Sequence, residues 1–154
     1  MEYVLGKDES VVKEASFRPN LVLAWLRSEM TVTDKRILGF SRNTLFGLIP
    51  LGKNEISYPI KNISSVGTST KFYFGRFVLG LILVLLSLSM IGESFLGGLF
   101  MLILGALPLA NSFVSRLIIS PNSGNSTKID VTFLDKDTIQ QFSNQVNVTI
   151  TEVS

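Results

Sequence analysis

The chain contains no cysteine and no histidine. The first absence excludes disulfides, thiolate nucleophiles and thiolate metal sites. The second removes the side chain that most often moves protons near neutral pH. Charge is scarce too, with 17% of the 154 residues charged against 46% hydrophobic. That balance is oily for an ordinary globular domain. No phosphate loop of the GxxxxGK type occurs, and no carboxylate pair sits at a spacing suited to acid–base work. Asp130, Asp135 and Asp137 are close in sequence, but a strand residue and helix-start acids account for them without a metal. The inventory points away from an enzyme: no catalytic residue, no cofactor and no metal ligand set emerges. A net charge of +2, with no basic block, gives no footprint for nucleic acid. Three N-x-S/T matches, at Asn62, Asn125 and Asn147, are what a chain rich in Ser, Thr and Asn produces by chance.

What is abundant is apolar sequence in one place. From Phe77 to Ser115 the only charge is Glu93, and Arg76 and Arg116 bracket the run. Its length and polarity predict membrane insertion. One straight helix would be too long, so the run divides into two spans, Phe77 to Ile91 and Phe95 to Val114. The first is lengthened by Phe72, Tyr73 and Phe74. Gly92, Glu93 and Ser94 then form the turn, which places the carboxylate in water rather than in an ion path. Gly80 and Ser87 on the first helix, and Gly98, Gly105 and Ser112 on the second, recur every seven residues. Small residues at that spacing let two helices approach closely, so they are read as the packing seam of the hairpin. Eleven Lys and Arg against seven acids in residues 1–76, with none in the turn, put both tails on the cytoplasmic side of a two-span membrane protein.

The flanks carry strand signals. Val11 to Phe17, Glu29 to Thr33, Arg36 to Phe40, Asn54 to Ile60, Ile63 to Ser69, Arg116 to Ser120 and Thr127 to Phe133 each read as a short strand. Asp34-Lys35 and the PNSGNS segment supply turns. Asp135 can cap a final helix in which Ile139, Phe142 and Val146 form one apolar stripe. The expected organisation is a split domain, residues 1–71 plus 115–154, interrupted by a hairpin over residues 72–114.

The run EMTVTDKRILGF, followed by NEISYPIKNISSV and, near the end, IDVTFLDKDTIQQFSNQVN, resembles bacterial pleckstrin-homology-like and GRAM-like domains. GKDESVVKEASF is similar to their opening segment. That resemblance implies a mainly β fold: a bent antiparallel sheet of about seven strands capped by a C-terminal helix, here interrupted by a transmembrane hairpin. It also implies a binding or scaffolding role, often near membranes or in oligomers, and it does not imply catalysis.

Between two strand signals lies NTLFGLIPLGK. Leu45, Phe46, Leu48 and Ile49, flanked by Arg42 and Lys53, suit contact with a membrane or a protein, although such a loop also suits covering its own sheet edge. Trp25 reads as core, with an interfacial anchor as the alternative. The functional expectation is a non-catalytic, membrane-tethered binding or scaffolding module. Its partners would be the lipid bilayer, an unidentified membrane or cytoplasmic protein, or further copies of itself as a homo-oligomer. A small membrane subunit or pore and a bacteriocin-immunity-type protein are the alternatives.

Overall fold

In the computed structural model, residues 3–45 and 48–153 are described. Seven strands and three helices follow in the order β1 (Val11–Phe17), β2 (Ser28–Thr33), β3 (Arg36–Leu45), β4 (Ile49–Pro59), β5 (Ile63–Phe72), α1 (Phe74–Met90), α2 (Phe95–Ala110), β6 (Phe113–Pro121), β7 (Thr127–Thr132) and α3 (Lys136–Val153). They form two separate antiparallel sheets, β1-β2-β3-β4 and β5-β6-β7. The fold is thus mixed, with α-helix and β-sheet both prominent, which corrects the expectation of one continuous bent sheet in a mainly β fold.

The break falls between β4 and β5. Pro59 has no N–H for a ladder, and Ile60–Asn62 turn through a 3-10 helix, so the chain leaves one sheet before starting the next. At the other seam, the backbone N–H of Thr132, the last residue of β7, donates to the Arg18 carbonyl just beyond the end of β1. Helix α3 packs against β5 and β1 and spans the gap. Its Ile139, Phe142 and Val146 meet Phe17, Met30, Val32, Ile63, Leu117 and Val131 in one buried core drawn from both sheets. Period-two alternation supplies the strand contribution and the three- and four-residue spacing supplies the helix stripe. Asp135 does not serve chiefly as a helix cap. Its carboxylate accepts from the Arg18 backbone N–H at 2.7 Å, Nε at 3.0 Å and Nη2 at 2.7 Å, tying the end of β7 to the end of β1.

The hairpin also departs from expectation. Among the described residues no helix is long and apolar enough to cross a membrane. Helices α1 and α2 have 17 and 16 residues. At about 1.5 Å per residue they reach roughly 25 Å, short of a hydrocarbon core of about 30 Å. The sequence reading made each span longer because it counted residues that the sheet claims. Phe72 ends β5, Phe113 and Val114 begin β6, and Phe72 pairs with Phe113 across the ladder. The two-span membrane protein, with its cytoplasmic termini, falls with that count.

Candidate functional site

The hairpin rises directly from the second sheet. The Tyr73 N–H donates to the Ser112 carbonyl at 2.8 Å, closing the root. The Phe72 and Phe113 rings pack there in a tilted pair, 4.8 Å between centroids. Above the root the helices touch along their small residues. A Cβ at Gly80 would lie 2.7 Å from the Gly105 carbonyl oxygen, and one at Gly105 would lie 2.8 Å from the Val84 nitrogen. Gly98 is pressed against Ile91, Ser87 is fully buried, and Ser112 is buried beyond the end of α2. The seam therefore joins α1 to α2 within one chain. Gly92 and Glu93 are exposed in the turn, and the Ser94 hydroxyl caps α2 by accepting from the Gly97 N–H at 3.2 Å.

With the seam turned inward, the remaining helix faces present apolar side chains outward. Phe74, Leu85, Phe95, Leu96 and Phe100 are each more than half exposed, Leu96 by 77%. Neither helix has a polar face to alternate with them; α1 is FGRFVLGLILVLLSLSM and α2 is FLGGLFMLILGALPLA. An apolar surface of this extent exceeds what monomers ordinarily leave in water.

Other exposed apolar groups gather at the same end. Strands β3 and β4 project beyond their neighbours, and Leu45 pairs with Ile49 at the tip. Leu45, Leu48, Ile49 and Leu51 are all exposed there, so these side chains do not cover the sheet edge. Phe46 lies outside the described residues. Trp25 lies in the connection between β1 and β2 and is 72% exposed, which corrects its reading as core. That connection is fastened to the hairpin by the Leu21 N–H, which donates to Asn111 Oδ1 at 3.0 Å.

Between the β3–β4 projection and the root lies a cleft of about 420 Å³. Its walls include Arg42 from β3, Tyr73 and Arg76 from the root, Arg116 from β6, and Lys128 and Asp130 from β7. Register explains part of the convergence, since Arg116 lies opposite Asp130. Arg116 Nε donates to Asp130 Oδ1 at 2.8 Å, and its Nη2 donates to the Tyr73 hydroxyl at 3.0 Å. That hydroxyl in turn donates to Asp130 Oδ2. Burial, then the Asp130 carboxylate, push the Tyr73 phenol above its ordinary range, so it stays a protonated donor. Arg76 stacks on the Tyr73 ring at 4.2 Å and donates from Nη1 to the Asn111 carbonyl at 3.1 Å. Arg42 faces Lys53 across the β3–β4 ladder, and both cations lie over the Phe40 ring, at 5.1 and 5.5 Å. Lys53 also approaches Glu55 at 3.5 Å.

The sequence reading named Arg42 as a loop cation but missed its company. Arg76, Arg116 and Lys128 are far apart in the chain, and the first two were read only as flanks of the apolar run. The alternation of β6 and β7 around Arg116 and Asp130 was the one available signal. Asp130 and Asp135 are engaged by Arg116 and Arg18, and no group of metal-ligating side chains occurs among the described residues. Chemically, the cleft offers cationic donors, with the single Tyr73 proton already given to Asp130. No family model, curated protein or solved structure matches the chain. The pleckstrin-like resemblance stands on its sequence patterns alone.

Proposed function

We propose that the protein is a non-catalytic binding module that seats its α1–α2 hairpin against a lipid surface from one side, without crossing it. The observation that carries this reading is the exposed apolar surface of the hairpin, which from Phe77 to Leu104 carries no charge apart from the turn at Glu93. Charge complementarity favours lipid over a second copy of the chain. Lys71, Arg76 and the cleft cations stand at the root, where headgroups would lie, and a second copy would bring the same positive charge. Exposed Trp25, Leu45 and Ile49 border the same end and suit the boundary between headgroups and acyl chains. The two sheets then remain outside the lipid as a platform for a partner.

Flotation of the full chain with phosphatidylcholine vesicles tests this. The wild type should rise with the vesicles. Leu85→Ser with Phe100→Ser should weaken binding by at least about tenfold, because each apolar side chain contributes about 1.5–3 kcal/mol when fully buried. Protein that stays in the aqueous fraction as a discrete dimer by light scattering would overturn the reading in favour of self-association.

A further inference from the structure

The cleft at the hairpin root is more cationic than its own structure needs. Four cations, Arg42, Arg76, Arg116 and Lys128, share it with one carboxylate, Asp130, which Arg116 already occupies. Among the described residues Arg42 and Lys128 form no ion pair, and the buried Arg42 Nε donates to no acceptor. Like charges gathered at a partly buried site repel, and a buried donor without a partner costs free energy. The residue opposite Arg42 is another cation, Lys53, and the nearby Glu55 carboxylate pairs with Lys53 rather than with Arg42.

We propose that this cleft binds a phosphate-bearing anion. Guanidinium groups present planar forks that match phosphate oxygens, and an ammonium adds a point charge. Arg76 is held over the Tyr73 ring and by the Asn111 carbonyl, and Arg116 is fixed by Asp130 and Tyr73, so two of the donors are already oriented. Arg42 and Lys128 enter from β3 and β7 and supply the charge that is otherwise unmatched. Because the cleft opens at the foot of an apolar hairpin, a phospholipid headgroup could occupy it with its chains against α1. A free phosphate or phosphate monoester has the same recognition chemistry. The site extends the lipid-surface reading but is independent of hairpin insertion, which neutral vesicles test separately.

The test uses the full chain in two arms. One measures the melting temperature in inorganic phosphate against chloride at equal ionic strength. The other measures binding to phosphatidylcholine vesicles with and without phosphatidic acid. Arg42→Gln with Lys128→Gln should abolish any phosphate-specific rise in melting temperature. It should also reduce the preference for phosphatidic acid by about tenfold or more, since each charge-assisted hydrogen bond lost is worth roughly tenfold. Binding to neutral vesicles should be retained. Lys13→Gln with Lys61→Gln removes the same charge from exposed positions outside the cleft and should change that preference less than about twofold. A response in the phosphate arm supports the site with a free anion as its source; a response only to phosphatidic acid supports it with a lipid headgroup. Equal losses in both double variants would overturn the site in favour of diffuse attraction. Wild-type indifference to phosphate and phosphatidic acid alike would overturn it outright. Circular dichroism confirms that the variants compared are folded.

Discussion

Glu9 shows how much one side chain can fix. Its carboxylate accepts from Arg36 Nε at 2.9 Å and Nη2 at 3.0 Å, from the Thr33 hydroxyl at 2.7 Å and from the Gly6 N–H at 2.6 Å. These bonds hold the segment preceding β1 against the β2–β3 turn, and Arg36 extends the clasp by donating to the Val4 carbonyl. The Arg36 hydrogen bonds, then the Gly6 N–H, lower the Glu9 pKa from 4.5 to about 2. A depressed carboxylate pKa stabilises the fold above the unfolded value and loses that contribution as pH falls through the folded value. The wild type should therefore exceed Glu9→Gln in urea midpoint at neutral pH, and the difference should shrink between about pH 4.5 and 2. A difference that is constant over that window would show that the carboxylate's charge contributes nothing. Sequence spacing gave no sign of this clasp, because Glu9 and Arg36 belong to segments brought together only by the pairing of β1, β2 and β3. The cleft residues were hidden for the same reason: Arg42, Arg76, Arg116 and Lys128 meet through strand register and the root of the hairpin.

At the scale of elements, the helical hairpin was legible in outline and misjudged in extent. Glycine and serine every seven residues marked the seam, since that spacing returns to one helix face after two turns. The Gly-Glu-Ser turn was equally plain. The ends were not legible, because apolarity does not distinguish a helix from the strands that continue into it. Phe72 and Phe113 read as helix and belong to β5 and β6. The seam itself makes a contrast that can be measured. Gly80→Ala should cost about 1–3 kcal/mol by forcing a methyl group against the Gly105 carbonyl and Leu109. Gly92→Ala, with no atom within 4 Å of the new carbon, should change stability by less than about 0.5 kcal/mol. Hydrogen exchange should accelerate in residues 74–110 of the first variant while the β1–β4 amides stay protected. Uniform acceleration in both sheets would mean that the hairpin and sheets unfold as one unit.

For the whole molecule, the strand positions and the closing amphipathic helix followed from alternation and from Ile139, Phe142 and Val146. Division into two sheets did not, because it depends on where ladders stop. Pro59 was visible as a ladder breaker, but the consequence for β4 and β5 emerges only in three dimensions. The resulting molecule separates two kinds of surface. One end carries the β6–β7 turn and the C-terminal part of α3, whose Ile150 and Val153 lie beside Ile63 and Asn122; the other gathers the cation-lined cleft, the β3–β4 tip, Trp25 and the hairpin. This polarity is the basis for reading the hairpin end as the contact face, and acyl contact along the hairpin is the claim on which the proposed function turns. The most direct measurement moves the chain's single tryptophan onto that surface, with Trp25→Phe and Leu88→Trp together, since Leu88 is 59% exposed. In phosphatidylcholine vesicles, acyl contact predicts a blue-shifted tryptophan emission that is quenched when bromine is carried on the acyl chains. A folded variant whose emission is unchanged by vesicles and insensitive to bromine would contradict it.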